Sequence, residues 1–213
     1  VSNQELAVIK SWIELGASFD LMISQLEENA KQSAIHVLQN LPKKTTSKLA
    51  LKIPTLPEVE AADTGLMNSL SNKGLLVMPI AQNTNAIYVN ASYAGKAFDN
   101  EMLKLLEPLA EQLLWLNLAR TGITDEAGSS LSKFTLLRRL HLENTHLSDE
   151  ISPHLAKLTN LEYLNLYGTG ISDASVKYLQ NLKNLEKVFL WETNFTKNGA
   201  TNLRKGFVDA KRY

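Results

Sequence analysis

Asp125, Asp149 and Asp173 recur at a constant step of 24 residues. Three carboxylates in one column have the chemistry to bind a cation or to move a proton. Each, however, directly follows a hydroxyl residue, as Thr124-Asp125, Ser148-Asp149 and Ser172-Asp173. Such a pair opens a helix: the hydroxyl caps a free N–H and the acid favours the positive helix end. The column is therefore expected to cap helices, and no metal site is expected there. The histidines are His36, His141, His146 and His154, and no two of them have the His-Glu-x-x-His spacing of a zinc helix. The chain has no cysteine, which removes disulfides, thiolate catalysis and cysteine-ligated zinc. It also has no Gly-x-Ser-x-Gly, phosphate loop or dinucleotide fingerprint. The expectation is a noncatalytic chain without a cofactor of its own.

A second set of side chains suits recognition. Tyr88, Trp115, Arg139, Tyr163 and Lys187 form one column, Asn90, Asn117, His141, Asn165 and Phe189 a second, and Ser92, Ala119, Glu143, Tyr167 and Trp191 a third. Exposed aromatic rings interspersed with Arg, His and Glu have the composition of a binding patch. Tyr and Trp platforms also stack sugars, so a carbohydrate-binding module, or an accessory domain of a carbohydrate-active enzyme, is the alternative. A hydrolase would need two apposed carboxylates. Glu143 and Glu192 lie two repeats apart, about 10 Å on strands spaced ~4.8 Å, and in different columns. That disfavours hydrolysis.

The elements that place these columns follow from a repeat. Leu113-Leu-Trp-Leu-Asn-Leu118, Leu137-Arg-Arg-Leu-His-Leu142, Leu161-Glu-Tyr-Leu-Asn-Leu166 and Leu185-Glu-Lys-Val-Phe-Leu190 align without gaps at a step of 24. A threonine follows each, at Thr121, Thr145, Thr169 and Thr193, and is expected to bond backbone groups as the chain leaves the strand. Leu-x-x-Leu-x-Leu makes a short strand whose alternate side chains point inward, which sends the three columns to the opposite, concave side. This is the leucine-rich-repeat frame. The predicted fold is α/β: a right-handed solenoid of 24-residue repeats, with a parallel sheet on the concave face and helices on the convex face.

Ala86–Ala91 fits the same frame, and its helix is expected to carry Met102, Leu105, Leu106 and Leu109. Leu75–Ile80 also fits the strand frame, but precedes Ala86 by too few residues for an intervening helix; a helix around Pro57–Asn72 is expected before it. Residues 48–213 are thus read as the repeat domain with atypical end units, Thr196–Tyr213 forming a polar cap. Residues 1–47 read as a helical segment and linker. Ser2-Asn-Gln-Glu5 is a capping box, Leu6, Ile9, Trp12 and Ile13 line one face, and Gly16 is a stop.

Glu5-Leu-Ala-Val-Ile-Lys-Ser-Trp-Ile-Glu-Leu-Gly16 resembles the last helix of the planctomycete-type cytochrome c domain. Ala81–Asn85, Pro108–Gln112, Leu161–Thr169 and Leu190–Thr193 resemble the repeat tail that follows such domains in bacterial membrane-associated proteins. The resemblance implies a periplasmic or cell-envelope protein with heme upstream. This chain lacks Cys-x-x-Cys-His, so no covalent heme site lies within it. The chain begins at Val1 rather than methionine, which suggests a fragment.

The 22 basic and 22 acidic residues cancel, leaving no overall field to draw nucleic acid. Arg204, Lys205, Lys211 and Arg212 read as a solvated end. No apolar run approaches the ~20 residues of a membrane span. The expected partner is a protein, or another domain of the parent, held on the concave face.

Overall fold

The structure, a computed structural model, describes residues 56–207; the expected helical segment 1–47 lies outside the described residues. Helix α1 (Thr64–Asn72) begins later than the sequence suggests because Asp63 caps it, accepting from the Gly65 N–H at 2.7 Å. Six strands then form one sheet in sequential order: β1 (Leu76–Pro79), β2 (Ile87–Asn90), β3 (Leu113–Asn117), β4 (Arg139–His141), β5 (Tyr163–Asn165) and β6 (Lys187–Phe189).

From β2 onward the sheet is parallel, and Leu116, Leu140, Leu164 and Val188 sit side by side in register. The inward leucines of β3 to β5 are fully buried, as the period-two alternation requires. Leu131 and Phe134, Leu155 and Leu158, and Leu179 and Leu182 close the core from the other side.

β1 departs from the predicted parallel sheet. It pairs antiparallel with β2, Leu76 opposite Asn90 and Pro79 opposite Ile87. The link between them is too short for a parallel crossover, which takes about a dozen residues, so the chain folds back as a hairpin. Leu75–Ile80 is thus a cap on the first repeat and no solenoid unit. After β2, α2 (Asn100–Lys104) buries Leu103, and Leu106 and Leu109 follow at every third position. Leu105, expected on that inner face, is exposed instead, because the buried positions fall three apart at 103, 106 and 109 and Leu105 lies off that row.

The convex elements are shorter than full helices. Each regular unit has a single 3-10 turn (Asp125–Ala127, Asp149–Ile151, Asp173–Ser175) running into one α turn: α3 (Gly128–Leu131), α4 (Ser152–Leu155) and α5 (Val176–Leu179). α6 (Lys197–Phe207) follows β6 and buries Leu203 against the last unit.

The aspartates opening these turns stand in the first turn, as expected, and also carry a second role. Ser148 and Ser172 cap with their own hydroxyls, accepting from the Glu150 and Ala174 N–H groups. The carboxylates reach into the following repeat. Asp125 accepts from the Ser148 N–H at 2.9 Å and its hydroxyl at 2.7 Å, and Asp173 accepts from the Thr196 N–H at 2.9 Å and its hydroxyl at 2.6 Å. Asn100 makes the same joint toward Thr124 from the first, irregular unit. Lys197 stands where a further aspartate of the series would fall.

The threonine column bonds backbone. Thr121, Thr145, Thr169 and Thr193 each donate to the carbonyl three residues back, at 2.6–2.7 Å. The residue just before each threonine has a left-handed backbone: Arg120, Asn144, Gly168 and Glu192, with φ between 55° and 66°.

Candidate binding face

The strand residues that alternate with the buried leucines make the outer face of the sheet, the face expected to be concave. In the first row Tyr88 meets Trp115 edge-on, ring centroids 6.3 Å apart, and the Arg139 guanidinium lies over the Trp115 ring at 4.7 Å. The rings further along do not keep to columns. Tyr163 leans toward the middle row and packs between His141 at 4.9 Å and Phe189 at 5.3 Å. Tyr88, Trp115, Tyr163 and Tyr167 are half-buried, and Arg139 and Lys187 are exposed. Exposure rises toward β6, where Phe189 is 45% and Trp191 76% accessible.

Several residues assigned to the face by alternation alone are committed elsewhere. Asn117 and Asn165 turn their side-chain carbonyls back to accept from the Ala119 and Tyr167 N–H groups. Asn90 does the same for Ser92 and is buried, as is Ala119. The reason is local: an asparagine at a strand end bonds the backbone two residues on more readily than it faces solvent. These amides shape the strand exits.

The polar pair on the face is His141 and Glu143, whose Nδ1 and Oε1 are 3.2 Å apart. The second Glu143 oxygen, Oε2, is buried with no hydrogen-bond partner. Burial pushes the Glu143 carboxyl up. Hydrogen bonds from His141 and from its own backbone N–H, with the charges of His141 and Arg120 nearby, outweigh burial and hold it below the usual carboxylate range. Burial raises Tyr163, and the Glu143 charge adds to the effect. Glu192 accepts from the Tyr167 hydroxyl and raises that phenol. Arg120 was not singled out by the sequence, and Glu192 only as half of a disfavoured carboxylate pair. The available signal was their place just before the threonine column, where the left-handed backbone turns a side chain toward its neighbours.

Among the described residues no group of three or more His, Asp or Glu side chains is gathered as metal ligands. No described helix is long and apolar enough to cross a membrane.

The family model described as "Leucine Rich repeats (2 copies)" matches residues 135–177. Among solved structures, the chain is similar to an internalin from Listeria monocytogenes, with 26% identity over 47% of this chain and 29% of that one, TM-score 0.37. It is also similar to an internalin C2 from the same organism, with 27% identity over 47% of this chain and 42% of that one, TM-score 0.37. The leucine-rich-repeat ectodomain of a receptor kinase from Arabidopsis thaliana aligns at 15% identity over 65% of this chain and 83% of that one, TM-score 0.37. This chain thus spans less than half the length of either internalin. No curated protein matches it. The matched repeat model and the stack of parallel strands backed by helical turns make this a leucine-rich-repeat fold, a class that commonly serves as protein-binding modules.

Proposed function

We propose that the repeat domain is a noncatalytic module that holds a protein partner on its concave aromatic face, within a cell-envelope protein related to the planctomycete-type cytochromes c. One observation carries the reading: ring contacts run across the strands as far as Phe189, and both Phe189 and nearby Trp191 stand in water. Leaving large rings solvated forgoes roughly 25 cal/mol for each Å² of apolar surface, and a partner that covers them recovers it. The resemblance of Glu5–Gly16 and of the repeat blocks to cytochrome-associated tails supports the periplasm or cell envelope as the location. This chain has no cysteine and does not fit a covalently attached heme, so no redox step is assigned to it.

A photo-crosslinking side chain at position 191 tests the reading in cells that produce the protein, with exposed Lys157 on the convex side as the control position. The expected result is one dominant protein adduct from 191 and none from 157. Equal labelling from both positions, or none from either, would sink the reading. A saccharide bound in place of a protein would move it to the carbohydrate-binding alternative.

A further inference from the structure

We infer that the concave face takes an acidic, extended segment of its partner along the first row, and that the charge polarity of the face sets which way that segment lies. The inference rests on the partner-binding reading above and adds the chemistry of the partner.

The acidic side chains on and beside the face already have partners. Glu162 is held by Arg138 at 3.6 Å, and Glu186 is likewise engaged. Glu143 is paired with His141 and Glu192 with the Tyr167 hydroxyl. Arg139 and Lys187 are different: both are exposed on the first row, and neither makes an ion pair or side-chain hydrogen bond among the described residues. Arg139 is nonetheless held in place, because its guanidinium lies on the Trp115 ring. The ring contact uses none of the guanidinium's N–H donors, and a guanidinium with free donors can take a carboxylate with two parallel bonds.

Spacing narrows the occupant. Arg139 is on β4 and Lys187 on β6, with Tyr163 of β5 between them. Two strand spacings put the cations about 10 Å apart. Carboxylates three residues apart on a polyproline II segment are about 9 Å apart and on one side. Such a segment, running across the strands, can meet both cations and lay its intervening residues on Tyr163.

Polarity narrows it further. The opposite edge of the face carries Glu143 and Glu192, offset in part by Arg120 and His141. A uniform polyanion such as a sulfated glycan would set negative charge against that edge. A protein segment whose acids lie on one side only would not.

The test is a fluorescence-anisotropy titration of the 213-residue chain with a labelled Pro-Glu-Pro-Pro-Glu-Pro peptide and its Gln-for-Glu counterpart. The glutamate peptide should bind at least tenfold more tightly. Arg139→Gln and Lys187→Gln should each weaken it at least threefold, and added salt should weaken it further. Exposed Lys157→Gln, on the convex side, should leave it unchanged. Equal affinity for both peptides, no binding of either, or tighter binding of heparin would overturn the inference. A defined crosslink from position 191 alongside such a failure would leave the partner-binding reading standing and remove only its acidic chemistry.

Discussion

Asp149 leaves its own repeat to hold Ser172 in the next, accepting from the Ser172 N–H at 2.8 Å and from its hydroxyl at 2.5 Å. The Ser175 hydroxyl bonds the same carboxylate, and Ser175 in turn shares a 2.7 Å bond with Ser152, both serines fully buried. In a solenoid each repeat touches only its neighbours, so a joint of this kind enters stability as an interface term. Asp149→Ala strands three donors and should cost about 1–3 kcal/mol in urea denaturation. Asp173→Ala should cost less, because its partner Thr196 is exposed. The reverse order would show that the joint does not govern the interface.

The same carboxylate gives a pH dependence. Burial raises Asp149, but the Ser172 and Ser175 hydroxyls and the Ser172 N–H outweigh it and hold it below its ordinary 3.8. The unfolded chain therefore takes up this proton at a higher pH than the folded one. The stabilisation is complete well above 3.8 and is lost as pH falls through that value toward the lower folded one. Melting temperatures measured from pH 6 to pH 3 should fall at the acid end, and less steeply in Asp149→Ala. Glu107 and Glu143 are lowered too, so the slope should shrink without vanishing.

Leu140 and Leu164 are fully buried and adjacent in register. Either Leu→Ala change should destabilise by about 2–5 kcal/mol. Equilibrium denaturation with a change under ~0.5 kcal/mol would contradict their interior place.

Gly168 and Glu192 occupy the same left-handed position one repeat apart, with φ 66° and 55°. A Cβ on Gly168 would also lie 2.4 Å from the Asn144 Oδ1. Gly168→Ala should therefore cost about 1–2 kcal/mol, whereas Glu192→Gly should be neutral or gain up to about 1 kcal/mol. Thermal melts of the two variants should move in opposite directions or leave Glu192→Gly unmoved; matched losses would contradict the strain argument.

Trp191 is 76% exposed. Trp191→Ala should change stability by no more than about 1 kcal/mol while weakening partner association by 1 kcal/mol or more. A large loss of stability with unchanged association would assign the ring to folding.

Much of the strand ladder was legible because two periods coincide: alternation within each strand, and the 24-residue step between Leu113, Leu137, Leu161 and Leu185. Together they place Trp115, Arg139 and Tyr163 side by side, and the register agrees. Direction was not legible at β1, since Leu75–Ile80 satisfies the strand pattern in either sense; only the short link to Ala86 decides it. The aspartates stand in the first turn as expected, but their reach into the next repeat was not legible because both roles call for the same residue at the same place. Asn117 and Asn165 sit where alternation puts them, but alternation says where a Cβ points and not whether its amide turns back to the backbone.

The aspartate joint makes the repeats interchangeable parts. Removing residues 149–172 would bring Asp173 directly after Ser148, so Ser148 would keep its grip from Asp125 while Asp173 still held Thr196. The excised protein would be one strand narrower, by about 4.8 Å, keeping the aspartate fastenings at Ser148 and Thr196 while losing the buried Ser152–Ser175 bond. The breadth of the surface offered to a partner can therefore be lengthened or shortened in whole units, by duplication or deletion, without redesigning the aspartate joint between them.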